Sequence, residues 1–187
     1  MKSFSGLRLL APRIELRPLV AGDEPALFSI FSDREVMRYW STVPWQSMDF
    51  AERFVRTDID AMARGEHLRL GIVRREDDAL LGMCTLFDFV EACRRCQVGY
   101  GLARSAWGKG YVHEALVQLL DYGFAELSLN RVEADIDPRN GRSARSLQRL
   151  GFRKEGHLRE RWIVDGEVSD SELYGLLLSD WNGRSAS

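Results

Sequence analysis

Residues 105–112, Ser-Ala-Trp-Gly-Lys-Gly-Tyr-Val, set two glycines between a strand-like run and a long amphipathic helix. The run before them, residues 96–102, reads Cys-Gln-Val-Gly-Tyr-Gly-Leu, and the helix spans roughly residues 111–126. Val112, Ala115, Leu116, Leu119, Leu120, Gly123 and Leu127 form its apolar stripe, a core face. Glu114 falls off that stripe and reads as solvated. A glycine turn exposes backbone N–H groups, and the helix start adds four unpaired donors and the positive end of a macrodipole. Together they suit a phosphate or pyrophosphate. A Walker-type loop does not fit, because Gly-Lys is followed by Gly110 rather than a hydroxyl residue. A dinucleotide fingerprint does not fit either, for want of its third glycine.

A chain of 187 residues, 45% hydrophobic and 29% charged, suits one domain with a good-sized core. That domain is expected over residues 7–181, with loose ends at 1–6 and 182–187. No apolar run approaches a membrane span, and the first six residues lack the apolar centre of a secretory signal, so a cytoplasmic location is the default. With a net charge of −2, no global field favours nucleic acid or anionic lipid, and neither is expected as a partner. Cys93-Arg94-Arg95-Cys96 supplies only half of a structural zinc site and reads as a hairpin turn with incidental thiols. His67, His113 and His157 show no ligand spacing. No metal is expected.

Residues 13–19 alternate as a strand. An acidic first turn with an early proline opens a helix near residue 22, running to about 31. A second helix covers 47–64, with Phe50, Phe54, Ile59 and Met62 at helical spacing. Strands follow at 68–73 and 80–89, joined by the acidic turn 75–78, and at 94–102. Beyond the glycine turn and its helix come a strand at 131–136 and a helix at 140–150 closed by Gly151. A final hairpin, 153–164 and 167–178, turns at Asp165-Gly166. The order β-α-α-β-β-β-α-β-α-β-β predicts a mixed α/β sheet of seven strands with helices on both faces. Crossovers joining the fourth strand to the fifth, and the fifth to the sixth, are expected to make parallel pairs.

Four segments carry a resemblance to the Gcn5-related N-acetyltransferase (GNAT) superfamily, and within it to the RimJ/RimL-like branch. They are Val98-Gly99-Tyr100-x-Leu102 with Trp107-Gly108-Lys109-Gly110-Tyr111; Asn140-x-x-Ser143 with Leu150-Gly151-Phe152; Glu155-Gly156-x-Leu158-Arg159 with Asp165-Gly166, Asp170 and Tyr174-Gly175-Leu176-Leu177; and Glu35-Val36-Met37-Arg38-Tyr39-Trp40. The resemblance implies a mostly antiparallel sheet whose fourth and fifth strands splay into a cleft. It implies acetyl-CoA as donor and a primary amine as acceptor. Leu102 would offer backbone groups to pantetheine, and the amides of Trp107, Gly108, Lys109, Gly110, Tyr111 and Val112 would hold the pyrophosphate. Asn140 would bond the pantetheine arm, Ser143 would lie near the sulfur, and Tyr39, Trp40 and Gln97 would line the acceptor side.

The chain departs from that pattern at three positions. Val112 replaces the usual glycine or alanine, Gln97 stands where relatives often carry glutamate, and Leu147 stands where many keep a tyrosine. The strand carboxylate and the tyrosine acid are therefore both missing. At pH 7 the neutral form costs roughly 1 kcal/mol for an α-amine and roughly 4.6 kcal/mol for a lysine. A site without a strong base suits the former, so a protein N-terminus or small α-amino compound is the expected acceptor, with a polyamine or antibiotic as the alternative. Glu160 and Asp88 are candidates to take the amine's proton through water, and Ser143 to return one to the thiolate. A non-catalytic acyl-CoA-binding module is the reading from another class. A monomer or a homodimer is compatible with the exposed strand edges.

Three features admit plainer explanations. Asn140 serves equally as a helix N-cap, and both roles can coexist. Arg139, Arg142, Arg145, Arg149 and Arg153 form a basic stripe that reads as a solvated face, as a contact for the CoA 3′-phosphate or, against the near-neutral overall charge and the lack of interleaved aromatics, as a nucleic-acid face. Tyr39, Trp40 and Trp45 either pack beneath the second helix or, for Trp40, line the acceptor cleft.

Overall fold

Eight strands form one sheet in the order β1-β2-β3-β4-β5-β6-β8-β7 in a computed structural model that describes residues 3–183. Alternation sets the first of them: β2 (Ile14–Arg17) buries Ile14 and Leu16 and turns Glu15 and Arg17 outward. β3 (Leu68–Arg74), β4 (Leu80–Val90) and β5 (Arg95–Leu102) continue as antiparallel neighbours. β6 (Arg131–Ile136) is parallel to β5, reached through the crossover helix α4 (Tyr111–Glu126). β7 (Arg153–Val164) and β8 (Glu167–Leu177) form the closing hairpin.

Helices cover both faces. α1 (Glu24–Phe31), α2 (Arg34–Met37) and α3 (Met48–Arg64) enclose an apolar cluster around Phe31, Trp45, Val55 and Met83. α4, α5 (Gly141–Arg149) and the short α6 (Leu178–Gly183) contribute to the other cluster, around Leu86, Leu116, Leu119, Leu147 and Trp181. Side-chain capping fixes where three of these helices start, Asp33 accepting the Glu35 N–H at 2.8 Å before α2. Ser47 accepts the Phe50 N–H at 3.2 Å and Gly65, at φ 73°, ends α3; Asn140 accepts the Ser143 N–H at 3.1 Å at the start of α5.

Four expectations change. The sheet has eight strands rather than seven, because Leu9–Leu10 (β1) pairs with β2; two residues are too few to show alternation. Only one parallel pair forms, since β8 lies between β6 and β7. The cause is burial: β7 is exposed almost throughout, whereas β8 buries Ser171, Tyr174, Gly175 and Leu176 and takes the interior place. The loose N-terminal segment contains Phe4, which is buried and donates its N–H to the Met62 carbonyl. Asn182 and Gly183 end α6, while residues 1–2 and 184–187 lie outside the described residues. The buried face of α3 comprises Ala51, Val55, Asp58, Ala61 and Met62, with Phe50 and Ile59 exposed. Small alanines let that helix approach the sheet, and Asp58 is tolerated because Arg69 and His67 both bond its Oδ1.

Among the described glycines, a side chain has least room where β4 meets β5. A Cβ on Gly82 would lie 2.1 Å from the Gly101 carbonyl oxygen, whereas one on Gly6 meets nothing within 4 Å. Gly82→Ala is therefore expected to cost about 3 kcal/mol or more in urea unfolding, and Gly6→Ala to change stability by less than about 0.5 kcal/mol. Equal stabilities would refute the tight β4–β5 approach.

Candidate active site

Pairing between β5 and β6 stops early. It runs from Arg95–Arg131 to Gln97–Glu133, and the remainder of both strands diverges. Beyond that point β5 still pairs with β4, and Ala103 donates its N–H to Leu81. By the alternation of a strand, the peptide groups of Tyr100 and Leu102 point the other way, into the splay. A cleft with outward-turned backbone groups on one wall results.

Next to it stands the glycine turn. A 3-10 turn over Arg104–Ala106 leads into Gly108 at φ 73° and Gly110 at φ 85°, left-handed conformations that favour glycine. Gly110 caps α4 with no side-chain hydrogen bond, so the helix opens toward the cleft without a built-in acceptor. A Cβ on Gly108 would meet nothing within 4 Å, which leaves room for a bulky anion beside the turn. Trp107, Gly108, Gly110, Tyr111 and Val112 line a cavity of about 440 Å³, shared with Leu102, Asn140 and Ser143. Lys109, named with them from the sequence, lines neither this cavity nor its neighbour; it is exposed, and its carbonyl is occupied by Arg13. Leu102 also differs from expectation, for its carbonyl already accepts the Trp107 indole N–H at 2.9 Å.

Arg13 was not legible as a site residue. Its Nη1 donates to the Lys109 carbonyl at 2.9 Å, its Nε to Glu114 Oε2 at 2.8 Å and its main-chain N–H to Glu114 Oε1 at 2.6 Å. The guanidinium also lies 4.8 Å from the centre of the Tyr111 ring. Glu114 is thus an ion-pair partner rather than a solvated residue. The pair holds the back of the turn from 96 to 101 residues away in sequence, beyond the reach of any local pattern.

A second cavity, about 1100 Å³, opens on the other side and shares Tyr39, Trp40, Tyr100, Asn140 and Ser143 with the first. Ser143 and Tyr100 mark the junction. Their hydroxyls share a hydrogen bond of 2.7 Å, and burial pushes the Tyr100 phenol up to about 12, so it stays protonated. Leu147, at the position where a tyrosine acid was sought, is fully buried; Tyr100 brings a hydroxyl in from the opposite strand instead. The glycines flanking Tyr100 were the available signal. A Cβ on Gly101 would sit 2.6 Å from Trp40, so that glycine lets Trp40 cross β5 and line the cleft. Trp45, by contrast, is buried against Phe31 and Phe54.

Asp88 and Gln97 come together on the wall of the larger cavity. Asp88 occupies an irregularity in β4 at φ 52°, and Gln97 Nε2 donates to its Oδ2 at 3.0 Å. Glu160 does not join them. It is an exposed residue at a β7 bulge, φ 50°, lining neither cavity, and its N–H is donated to Asp170 at 2.8 Å. Asp135 and Asp137, not picked out from the sequence, line the larger cavity and pair with Arg161 and Arg139. Among the described residues no group of three or more His, Cys, Asp or Glu converges, and no helix is long and apolar enough to cross a membrane. Cys84 and Cys96 are buried thiols raised to about 12 by desolvation, and Cys93 is exposed.

The family described as acetyltransferase (GNAT) domain matches residues 13–153. The chain belongs to that family. The uncharacterized N-acetyltransferase p20 of Bacillus licheniformis is 34% identical over 175 residues, 94% of this chain and 98% of that protein. The ribosomal protein uS5-alanine N-acetyltransferase of Escherichia coli is 29% identical over 63% of this chain and 61% of its own length. The spermidine N(1)-acetyltransferase of Vibrio cholerae is 26% identical over 92% and 98%. Among solved structures, Mycobacterium smegmatis RimJ in complex with CoA-disulfide superposes with a TM-score of 0.86 at 24% identity, covering 96% of this chain and 91% of that one. This GNAT protein is an acetyl-transferring enzyme, and its uncapped helix start and open glycine arc suit the diphosphate of CoA.

Arg13→Ala and Glu114→Ala are expected to raise the KM for acetyl-CoA about tenfold each, and the double variant no further, because they remove one interaction. KM for the acceptor should move less than about twofold. Additive losses in the double variant would show that the two residues do not act as a pair.

Proposed function

We propose that this enzyme transfers acetyl from acetyl-CoA to the α-amine of a polypeptide N-terminus or a small α-amino compound. The observation that carries the acceptor class is the charge balance of the larger cavity, where five arginines face five carboxylates. Three of those carboxylates, Asp135, Asp137 and Glu167, are within ion-pair distance of Arg161 or Arg139. A polyamine, a linear polycation, finds little uncompensated negative charge there, and a broad cleft of about 1100 Å³ suits a chain end.

Acetyl-CoA supplies the activated acyl group; the protein supplies position and protons. The peptide groups of Tyr100 and Leu102 and the side chain of Asn140 face the cavity that takes the pantetheine arm. Ser143, backed by the protonated Tyr100, holds the proton that the departing sulfur takes up. Asp88, oriented by Gln97, receives the amine's proton through water. Only a modest base is needed, since an α-amine is already neutral in roughly a tenth of molecules at pH 7.

Thiol release is the assay. A lysine-free peptide with an open N-terminus should exceed spermidine, and an Nα-blocked peptide containing lysine, by about tenfold or more in kcat/KM. With the α-amine substrate, kcat/KM should climb about tenfold per pH unit up to roughly 8 and then level. Tyr100 is the acid in protonated form, and its raised pKa means that form is lost only as pH rises toward about 12, so it imposes no falling limb below pH 10. Preference for spermidine would overturn the acceptor assignment.

Ser143→Ala and Asp88→Asn should each lower kcat by about 10²-fold while KM for acetyl-CoA stays within about threefold. Unchanged kcat in either variant removes that residue from the proton path.

A further inference from the structure

Sheet register places Arg69 on the wall of the larger cavity. Arg69 on β3 pairs with Thr85 on β4, and Thr85 with Gly99 on β5, so the three form one row across the sheet. All three line that cavity. Three contacts hold the Arg69 guanidinium. Its Nη1 donates to Asp58 Oδ1 at 2.5 Å, its Nε to Thr85 Oγ1 at 3.2 Å, and its carbon lies 4.7 Å from the centre of the Phe54 ring. Phe54 and Asp58 are four residues apart on α3 and so share one side of that helix. Asp58 is buried, and its Oδ2 has no partner among the described residues. Its charge is therefore met only at Oδ1, by Arg69 and by His67 Nε2 at 2.6 Å. Releasing Arg69 would strand a buried carboxylate. The arginine is fixed.

One edge of it stays available. Among the described residues Nη2 has no hydrogen-bond partner, although the side chain is 20% exposed and lines the cavity. Beside it, a Cβ on Gly99 would meet only Phe87, at 3.4 Å, so the row is open from Thr85 to β5. Gly99 precedes Tyr100, whose hydroxyl meets Ser143 at the junction of the cavities. It also shares a face of β5 with Gln97, the partner of Asp88. An amine at that junction has the Arg69 guanidinium about one strand spacing away, roughly 5 Å. Within one amino-acid residue, nitrogen and carbonyl oxygen lie roughly 3 Å apart, and a hydrogen bond adds about 2.9 Å. The reach matches. Resting on the α-amine reading, we infer that Arg69 determines acceptor specificity: its Nη2 donates to the carbonyl oxygen of the acceptor's first residue, and Asp58 and His67 are positioning residues for it. The acceptor is then a polypeptide. Asp58 already offsets the guanidinium's charge, so the site offers a directed donor to a neutral carbonyl and no surplus charge to a free carboxylate. A polyamine has no oxygen to present there.

Three acceptors test this by thiol release from acetyl-CoA: a lysine-free peptide, its analogue with the first peptide bond replaced by a trans carbon–carbon double bond, and the free first amino acid. Each kcat/KM is expressed per neutral amine. The wild-type enzyme should favour the peptide about 30-fold over the alkene analogue and about tenfold over the free amino acid. Arg69→Gln should lose about 30-fold with the peptide but less than about threefold with the alkene analogue. Arg69→Lys, which keeps the cation without the fork, should fall between. A purely structural role would lower both substrates alike, and the wild-type comparison decides the matter even if a variant fails to fold. Equal wild-type values for peptide and alkene analogue, or an equal loss for both in Arg69→Gln, overturn the carbonyl contact while leaving the α-amine as acceptor. Preference for the free amino acid overturns the polypeptide assignment. Thiol release with spermidine but with none of the three overturns the α-amine reading and this inference together.

Discussion

The loss of pairing between β5 and β6 after Gln97–Glu133 is the constraint on which the site depends. Backbone polar groups left unpaired inside a protein cost about 1–3 kcal/mol each, so a sheet that opens must complete those bonds elsewhere. Part of the completion is internal, since the Trp107 indole takes the Leu102 carbonyl. The rest faces a cavity. On the proposed function, an amide-rich ligand arm laid along β5 would replace the missing strand, and the same divergence would give a second group access from the far side. One irregularity in the sheet thus supplies both approaches.

Local features of the sequence revealed much of this architecture. Period-two alternation marked the strand at residues 13–19, and the glycines at 108 and 110 marked the turn because a left-handed backbone turns there. Asn140 was recognisable as a helix cap, and the resemblance to the GNAT family set it beside Ser143, whose N–H it accepts. What escaped notice was long-range. The Arg13–Glu114 contact spans 101 residues, Tyr100–Ser143 spans 43, and the order of β8 and β7 follows from which strand has a face to bury. The stripe on α3 was misplaced for a related reason. A buried Asp58 looks like a break in the pattern until Arg69 and His67, on the neighbouring strand and the loop before it, are seen to meet it.

Charge is divided between the two cavities in a way that follows their tasks. The smaller one opens on a helix N-terminus and on Arg38, Arg142 and Arg149, which among the described residues have no carboxylate within ion-pair distance, a surplus suited to a polyanion. The larger one balances its charges, largely by ion pairs already made within the fold. A surface arranged in that way discriminates by shape and by the state of one amine rather than by attracting a highly charged molecule. The partition therefore favours an acceptor whose identity lies in its chain end.

Proton management is uneven across the same junction, and the unevenness is consistent with that acceptor. On the leaving-group side, two hydroxyls lie 2.7 Å apart, and burial keeps the Tyr100 phenol protonated. On the amine side stands an exposed Asp88, steered by Gln97 and, among the described residues, with no cation within ion-pair distance. A lysine or polyamine nitrogen, with a pKa above 10, would require a strongly perturbed base to reach its reactive form near neutrality. An α-amine is about two to three pKa units closer to neutrality, and Asp88 acting through water suffices for it. On the proposed mechanism, Leu147 in place of a tyrosine and Gln97 in place of a glutamate belong together: Tyr100 and Ser143 take the part of the acid, and a strong base is not required.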